Sequence, residues 1–303
     1  MGRSPAGAAV RTFKALAPAK INLWLEVIGK RSDGYHELSS LMLPVGVYDQ
    51  LDVTLGGTEV SLECSHPDVP QDDRNLAWRA ADRFRREAGW SQGMHIKLVK
   101  NIPVGAGLGG GSSDAGVLLA NLNRWAGAPL ATSTLVDLAR SLGADVAFFL
   151  ESRPALARGI GEKLEWVTGV PAYPLVLIKP PVMVSTRSIY QKLTLTRPKA
   201  AITIRALEAQ PWSFQQVLEN DLESVTIVEF PVIAQIKQWL MNNGALGALM
   251  SGSGPTVFGV FSDEARARKV ESLARETWRR SWVQTTQVLS EPDRPTCGVR
   301  STR

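Results

Sequence analysis

Hydrophobic and polar residues follow regular patterns along most of the chain and predict a mixture of strands and helices. Residues 19–28 (AKINLWLEVI) place apolar and polar side chains on opposite faces, which is the pattern of a half-buried strand. Met94–Val99 alternates in the same way, and Ala115–Trp125 has one apolar face at helical spacing. Further strands are predicted at 51–55, 60–62, 175–178, 246–250, 257–261 and 283–289, and further helices at 75–88, 133–142, 185–193, 231–241 and 263–278. In the second half, this mixture indicates a compact α+β domain.

A glycine-rich loop, Pro103–Gly116 (PVGAGLGGGSSDAG), joins one predicted strand to the helix that follows it. Its five glycines, at 105, 107, 109, 110 and 111, permit positive φ angles and let backbone N–H groups approach an anion. Ser112 and Ser113 are suitable N-cap residues, and the N-terminus of a helix favours negative charge. We therefore predict a polyphosphate-binding loop rather than a flexible turn.

Three better-known glycine loops do not fit this segment. When the Walker A frame starts at Gly105, its lysine position holds Gly111. Gly105, Gly107 and Gly110 satisfy GxGxxG, but no acidic residue stands about twenty positions further on to bind a ribose hydroxyl. The HRD and DFG strings of protein kinases do not occur in the sequence.

Four further features each leave two interpretations open. Lys20, at the mouth of the first strand, is either a surface lysine or a cation held in a site. Asp145 lies between a helix end and an apolar run, and is either a structural cap or a charge that a site uses. Tyr35 and His36 follow a turn, and either pack against it or contact a base. The glycine-rich turn Ser251–Thr256 is either a plain hairpin or part of a site.

The composition is that of a soluble globular chain. With 303 residues, 44% of them hydrophobic, the chain is long enough for two domains. The net charge is +5, but the basic residues are dispersed, which suits an enzyme of anionic small molecules better than a nucleic-acid-binding protein. Cys64 and Cys297 form neither a metal motif nor a disulfide framework, so a reducing cytosol is the simplest location. The N-terminal segment 1–18 lacks a signal-peptide core, and we expect a short disordered extension rather than a transit peptide.

Four separated motifs resemble those of the GHMP small-molecule kinases: PAKINLWL at 18–25, DGYHEL at 33–38, PVGAGLGGGSSDA at 103–115 and SGSGPTVFG at 251–259. Together with GADV at 143–146, they are similar to the members that phosphorylate the 2-hydroxyl of a diphosphocytidyl methylerythritol for isoprenoid synthesis. The resemblance implies an α+β, two-domain GHMP kinase fold. Its N-terminal domain would have a left-handed β-α-β crossover and its C-terminal domain would be ferredoxin-like. We place these domains at 1–159 and 160–303.

The resemblance also implies residue roles, position by position. Lys20 and Asp145 match the catalytic pair. The ATP-binding positions are Pro103, Val104, Gly105, Ala106, Gly107, Leu108, Gly109, Gly110, Gly111, Ser112 and Ser113. The substrate-binding positions are Asn22, Tyr35, His36, Thr186 and Tyr190. Two positions depart from the family: Ala147 replaces a proline, and Tyr190 stands where some relatives have phenylalanine.

The expected activity is that of a cytoplasmic small-molecule kinase with ATP as co-substrate and Mg²⁺ as cofactor. We expect a monomer or weak homodimer that binds neither nucleic acid nor membrane. The DGYH motif disfavours a kinase of homoserine or of a mevalonate-type alcohol. The presence of both Lys20 and Asp145 disfavours a regulatory nucleotide-binding protein, and no RNP1-like signature supports RNA binding.

Overall fold

The computed structural model of the chain describes residues 11–194 and 217–290. The predictions for residues 1–10 and for Cys297 lie outside the described residues. The strands are β1 (Arg11–Lys30), β2 (His36–Leu55), β3 (Val60–Cys64), β4 (Met94–Val99), β5 (Ala155–Gly159), β6 (Lys163–Trp166), β7 (Pro174–Lys179), β8 (Glu219–Asn220), β9 (Gly247–Met250), β10 (Val257–Val260) and β11 (Trp282–Gln287). The helices are α1 (Leu76–Glu87), α2 (Gly110–Trp125), α3 (Thr132–Leu142), α4 (Thr186–Lys192), α5 (Glu223–Glu229), α6 (Val232–Asn242) and α7 (Glu264–Thr277), with a 3₁₀ helix at Ala147–Leu150.

The first sheet has the strand order β3-β4-β2-β1-β8, with β5 paired to β2 and β6 paired to β5. Its centre is the antiparallel pair β1–β2, which extends over nearly the full length of both strands. The alternation of 19–28 correctly predicts a strand, but β1 begins eight residues earlier, at Arg11. Small residues conceal this part of the strand, because buried Ala15 and Ala17 carry little hydrophobic signal.

Helices α1, α2 and α3 pack together and against this sheet around a core that includes Phe84, Leu118 and Phe148. The parallel strands β3 and β4 are joined through α1 in a β-α-β unit. The side chain of Asn75 caps α1 by accepting a hydrogen bond from the N–H of Ala77 at 2.9 Å. These elements confirm the α+β prediction for the N-terminal half.

The second sheet is antiparallel with the order β11-β7-β10-β9, and α6 and α7 pack against its strands. Taken in chain order its strands are β7, β9, β10 and β11, so the sheet order is fourth, first, third, second. This arrangement of strands and helices is the ferredoxin-like one that the sequence predicts.

A shared core of Leu23, Leu43, Leu177 and Phe258 joins the two sheets. Strand β8 pairs with β1 although it lies far along the chain. Strand β6 pairs with β5 in the first sheet, so the domain boundary that we propose between 159 and 160 falls within their hairpin. No helix of the described residues is long and apolar enough to cross a membrane.

The start of α2 corrects one prediction. We expected Ser112 and Ser113 to cap this helix, but its N-cap is Gly109, at a φ of 71°. Glycine adopts this left-handed conformation at little cost, so the helix can begin before the serines. Ser113 therefore lies inside the first turn, where its hydroxyl donates to the carbonyl of Pro18 at 2.6 Å.

Candidate active site

One cavity of about 1250 Å³ collects nearly all of the predicted site residues. Its lining includes Lys20, Asn22, Tyr35, His36, the loop from Pro103 to Ser112, Asp145, Thr186 and Tyr190. Ser113 is absent from the lining because it is buried beneath the loop, and its N–H donates to the carbonyl of Gly109. The fold thus brings together residues from β1, the turn after it, the glycine loop and α4.

The glycines of the loop are required by packing as well as by anion access. Gly105, Gly107 and Gly109 all have positive φ angles. A Cβ atom on Gly107 would lie 2.3 Å from the carbonyl oxygen of Ser251. A Cβ atom on Gly109 would lie 3.0 Å from the side chains of both Lys20 and Phe149. Glycine at these positions therefore lets the loop fit between β1 and the β9–β10 turn.

The N-terminus of α2 supplies the donors for an anion. Within the described residues, the N–H groups of Gly110, Gly111 and Ser112 donate to no protein acceptor. They belong to the first turn of a helix, where the N–H groups have no carbonyl to bind and the dipole favours negative charge. Gly111 is exposed and has open space beside it, since only Leu76 comes within 4 Å of an added Cβ. This end of α2 can bind phosphate oxygens.

The β9–β10 turn holds the loop from the other side. The hydroxyl of Ser251 donates to the carbonyl of Gly107 at 3.0 Å. The N–H of Thr256 donates to the carbonyl of Ala106 at 3.3 Å. The side-chain amide of Asn220 donates at 2.8 Å to the carbonyls of both Met250 and Gly252. Ser251–Thr256 is thus a hairpin turn that also fixes the glycine loop. The SGSG string at 251–254 marked this turn in the sequence, whereas no sequence pattern pointed to Asn220.

Lys20 is a buried cation rather than a surface lysine, because its side chain is only 6% exposed. Its Nζ lies 2.5 Å from Oδ1 of Asn22 and 3.7 Å from Oδ2 of Asp145. Burial lowers the pKa of Lys20, and the charge of Asp145 opposes that effect. The amide of Asn22 is oriented in turn by a 2.7 Å hydrogen bond to the hydroxyl of Ser40. The ammonium is therefore held in one position, next to the loop.

Asp145 lies in the cavity wall with 34% of its side chain exposed. It follows the end of α3 and precedes the 3₁₀ helix, so short structured segments hold its backbone on both sides. Ala147, which replaces the family proline, is the first residue of that 3₁₀ helix. A helix does not use the N–H of its first residue, so alanine and proline both suit this position. The substitution leaves the carboxylate at the cavity.

Aromatic side chains from both halves of the chain meet at the cavity. The rings of His36 and Tyr190 are 5.3 Å apart at 31°, while Tyr35 is 59% exposed beside them. Burial lowers the pKa of His36, with a smaller contribution from the charge of Lys30. Burial, and then the charge of Asp145, raise the pKa of Tyr190. These residues form an aromatic wall with neutral hydrogen-bonding groups.

Two groups of lining residues were missed by sequence reasoning. One is the connection from β3 to α1, which contributes Asp68, Val69, Pro70, Arg74, Asn75 and Leu76. The other contains Lys100 and Asp114, which pair with each other and, through Lys100, with Asp49. A loop without periodicity and three isolated charges carry no spacing signal. Only the fold places them beside the glycine loop.

The fold and the site define a small-molecule kinase of the GHMP type. The family model for the GHMP kinase N-terminal domain matches residues 75–153, and the model for the GHMP kinase C-terminal domain matches residues 203–280. A solved homoserine kinase from Cytophaga hutchinsonii shares this fold, with a TM-score of 0.70 at 19% identity over 96% of this chain and 98% of its own.

Relatives with higher sequence identity show to which family of GHMP kinases the chain belongs. The chain is 46% identical to 4-diphosphocytidyl-2-C-methyl-D-erythritol kinase of Syntrophotalea carbinolica, over 87% of this chain and 95% of that one. It is 45% identical to the enzyme of the same name from Geotalea daltonii, over 88% and 96% of the two chains. A crystal structure of 4-(cytidine 5'-diphospho)-2C-methyl-D-erythritol kinase matches with a TM-score of 0.76 at 37% identity, over 90% of this chain and 98% of that one. The chain belongs to the 4-diphosphocytidyl-2-C-methyl-D-erythritol kinase family of GHMP kinases.

A valine at Gly111 should block the anion site while leaving the fold intact. The backbone there is not left-handed and the space beside it is open, so the side chain would occupy the cavity next to the free N–H groups. We expect at least about a tenfold weaker affinity for an ATP analogue, measured by calorimetry. Gly29→Val is the matched control, because Gly29 also has open space but does not line the cavity. Equal affinities in the two variants would refute the phosphate-loop assignment.

Proposed function

We infer that the chain transfers the γ-phosphoryl group of ATP to the 2-hydroxyl of 4-diphosphocytidyl-2-C-methyl-D-erythritol, giving the 2-phosphate and ADP in the non-mevalonate isoprenoid pathway. The family to which the chain belongs supports this activity. The observation that carries it is one cavity in which the Lys20–Asp145 pair, an amide-lined loop and an aromatic wall occur together.

The nucleotide would bind through its phosphates. The triphosphate would accept hydrogen bonds from the N–H groups at the start of α2, with the buried ammonium of Lys20 close by. The adenosine would then lie against the β3–α1 connection, whose Leu76 borders Gly111. This connection lines the cavity with the apolar side chains of Val69, Pro70 and Leu76, which suit a flat base.

The cytidyl group of the alcohol substrate would bind at the aromatic wall. Tyr35, His36 and Tyr190 offer ring faces for stacking and polar groups for the edge of the base. Stacking tolerates any base, so hydrogen bonds at the edge must supply the discrimination. Thr186, whose hydroxyl pairs with that of Ser253 at 2.7 Å, adds a polar contact on the same side.

Lys20 and Asp145 would carry the chemical step. The carboxylate of Asp145 accepts the proton of the 2-hydroxyl group. At the same time, the oxygen of that hydroxyl group forms a bond to the γ-phosphorus of ATP. The bond from that phosphorus to the bridging oxygen breaks, and ADP leaves with the electron pair. Lys20, held by Asn22, stabilises negative charge on the transferring group. Positioning and charge compensation are the main requirements of phosphoryl transfer.

Mg²⁺ fits this site as a complex with ATP. Magnesium commonly keeps several waters and binds through substrate phosphates with few protein carboxylates. Within the described residues no group of three or more metal-binding side chains occurs, which agrees with that mode of binding. The ion would neutralise charge on the phosphates, and the protein would hold the complex through the loop.

The remaining properties are proposals from the sequence. We propose a cytoplasmic monomer or weak homodimer that acts on a small molecule and binds no nucleic acid. The dispersed basic residues support the last point. We also propose that the chain is divided into an ATP-binding domain at 1–159 and a C-terminal domain at 160–303.

The activity can be tested with a panel of alcohols. ADP formation should be fast with 4-diphosphocytidyl-2-C-methyl-D-erythritol and near background with 2-C-methylerythritol 4-phosphate, homoserine and mevalonate. The product should carry its new phosphate on the 2-oxygen, as shown by phosphorus NMR. The aromatic wall predicts this preference, because only the first alcohol carries a base. Comparable turnover of an alcohol without the cytidyl group would contradict the proposal.

Substitution of Tyr35 should affect the binding of only one of the two substrates. Since it lies at the aromatic wall and not at the loop, Tyr35→Ala should raise the KM for the cytidyl substrate by roughly tenfold or more and leave that for ATP within about twofold. Tyr35→Phe keeps the ring and should stay near the wild type. Equal changes in both KM values for Tyr35→Ala would show that it does not distinguish the two substrates.

A further inference from the structure

A buried charge cluster, Asp49, Lys100 and Asp114, lies directly beneath the glycine loop. Nζ of Lys100 contacts Asp49 and lies 2.6 Å from Oδ2 of Asp114. All three side chains are at most 4% exposed. Asp114 follows the first turn of α2, four residues after Gly110, and a Cβ atom on Gly110 would lie 3.3 Å from Nζ of Lys100. The cluster therefore supports the same helix end whose N–H groups would bind phosphate.

The two carboxyl groups of the cluster are not equivalent. Asp49 accepts hydrogen bonds from Lys100 and from the N–H groups of Asn101 and Ile102, at 2.6 and 2.8 Å. Asp114 accepts a hydrogen bond from Lys100 at Oδ2. Its buried Oδ1 has no hydrogen-bond partner among the described residues. One ammonium faces two carboxyl groups, and Asp49 has the better compensation for a negative charge. A proton in this cluster therefore belongs on Asp114.

The surroundings favour the neutral form of that carboxyl group. Burial raises the pKa of Asp114 to about 8, and the charge of Asp49 adds to the rise while that of Lys100 opposes it. Three charged groups on the other elements packed against α2 pair elsewhere. Lys20 of β1 pairs with Asp145, Asp82 of α1 pairs with Arg86, and Arg140 of α3 pairs with Asp137.

We propose that Asp114 is a positioning residue of the phosphate loop that takes up a proton from solvent when ATP binds. This inference rests on the proposed ATP site. A polyphosphate at the start of α2 adds negative charge near the carboxylate of Asp114, which lies just after the first turn of that helix, and this charge favours protonation of the carboxylate. Linkage then requires that ATP bind more tightly to the protonated protein, so affinity should fall as the pH rises through the titration of Asp114.

Calorimetry of the whole protein with Mg²⁺ and a non-hydrolysable ATP analogue tests this inference. The heat measured at pH 8 in buffers of different ionisation enthalpy gives the number of protons taken up. At that pH the carboxyl group of Asp114 is partly ionised, so wild type should take up a fraction of a proton more than Asp114→Asn. Asparagine imitates the neutral carboxyl group in size and shape. Asp137→Asn, on the exposed face of α3, is the matched control and should behave as wild type.

The pH dependence gives a second readout that a purely structural role would not produce. Above about pH 7 the affinity of wild type should fall more steeply with pH than that of Asp114→Asn, because only wild type carries the titrating carboxyl group. If Asp114→Asn does not fold, difference infrared spectra of wild type still show whether a carboxyl group is protonated on binding. The band of a protonated carboxyl group should grow when the analogue binds at pH 8. Equal proton uptake in wild type and Asp114→Asn, or no such band, would overturn the inference while the ATP site stands. Failure of wild type to bind the analogue would overturn the proposed function itself.

Discussion

The structure depends on the burial of the Lys20 ammonium between the first strand and the glycine loop. A buried ammonium is costly unless nearby groups compensate its charge, and here Asn22 and Asp145 do so. The backbone N–H of Lys20 also donates to the carbonyl of Leu108 at 2.9 Å. The absent side chain of Gly109 leaves the space that the stem of Lys20 occupies. The position of the loop and the position of the cation are thus determined by the same contacts.

This constraint extends into the second half of the chain. The loop carbonyls of Ala106 and Gly107 accept hydrogen bonds from the β9–β10 turn, and Asn220 holds that turn against the first sheet. A shift between the halves would therefore displace the N–H groups at the start of α2 relative to Lys20. Since phosphoryl transfer is sensitive to sub-ångström positioning, this explains why a site built from both halves needs so many backbone contacts around it.

Sequence patterns predicted most of the strands and helices and the glycine loop, because periodicity reports burial and glycine spacing reports backbone conformation. The resemblance to the GHMP kinases supplied most of the other predicted residues that line the cavity. The burial of Lys20 was not predictable from its position, since a lysine at a strand end is usually exposed. The N-cap of α2 was predicted wrongly, because Gly109 and the serines compete for the same role. The pairing of Asp114 with Lys100 depends on the packing of α2 over β1 and β2, which no local pattern records.

The most direct test of the account is the single-turnover rate of Asp145→Asn, measured with substrate binding determined separately. Asparagine has nearly the shape of aspartate but cannot accept the proton, so the chemical rate should fall by about two to four powers of ten while affinity changes little. Lys20→Met should cause a similar loss, and the double variant should be barely slower, because the two residues act as a unit. If Asp145→Asn keeps most of the chemical rate, the carboxylate only orients the substrate, and its role as the base is contradicted.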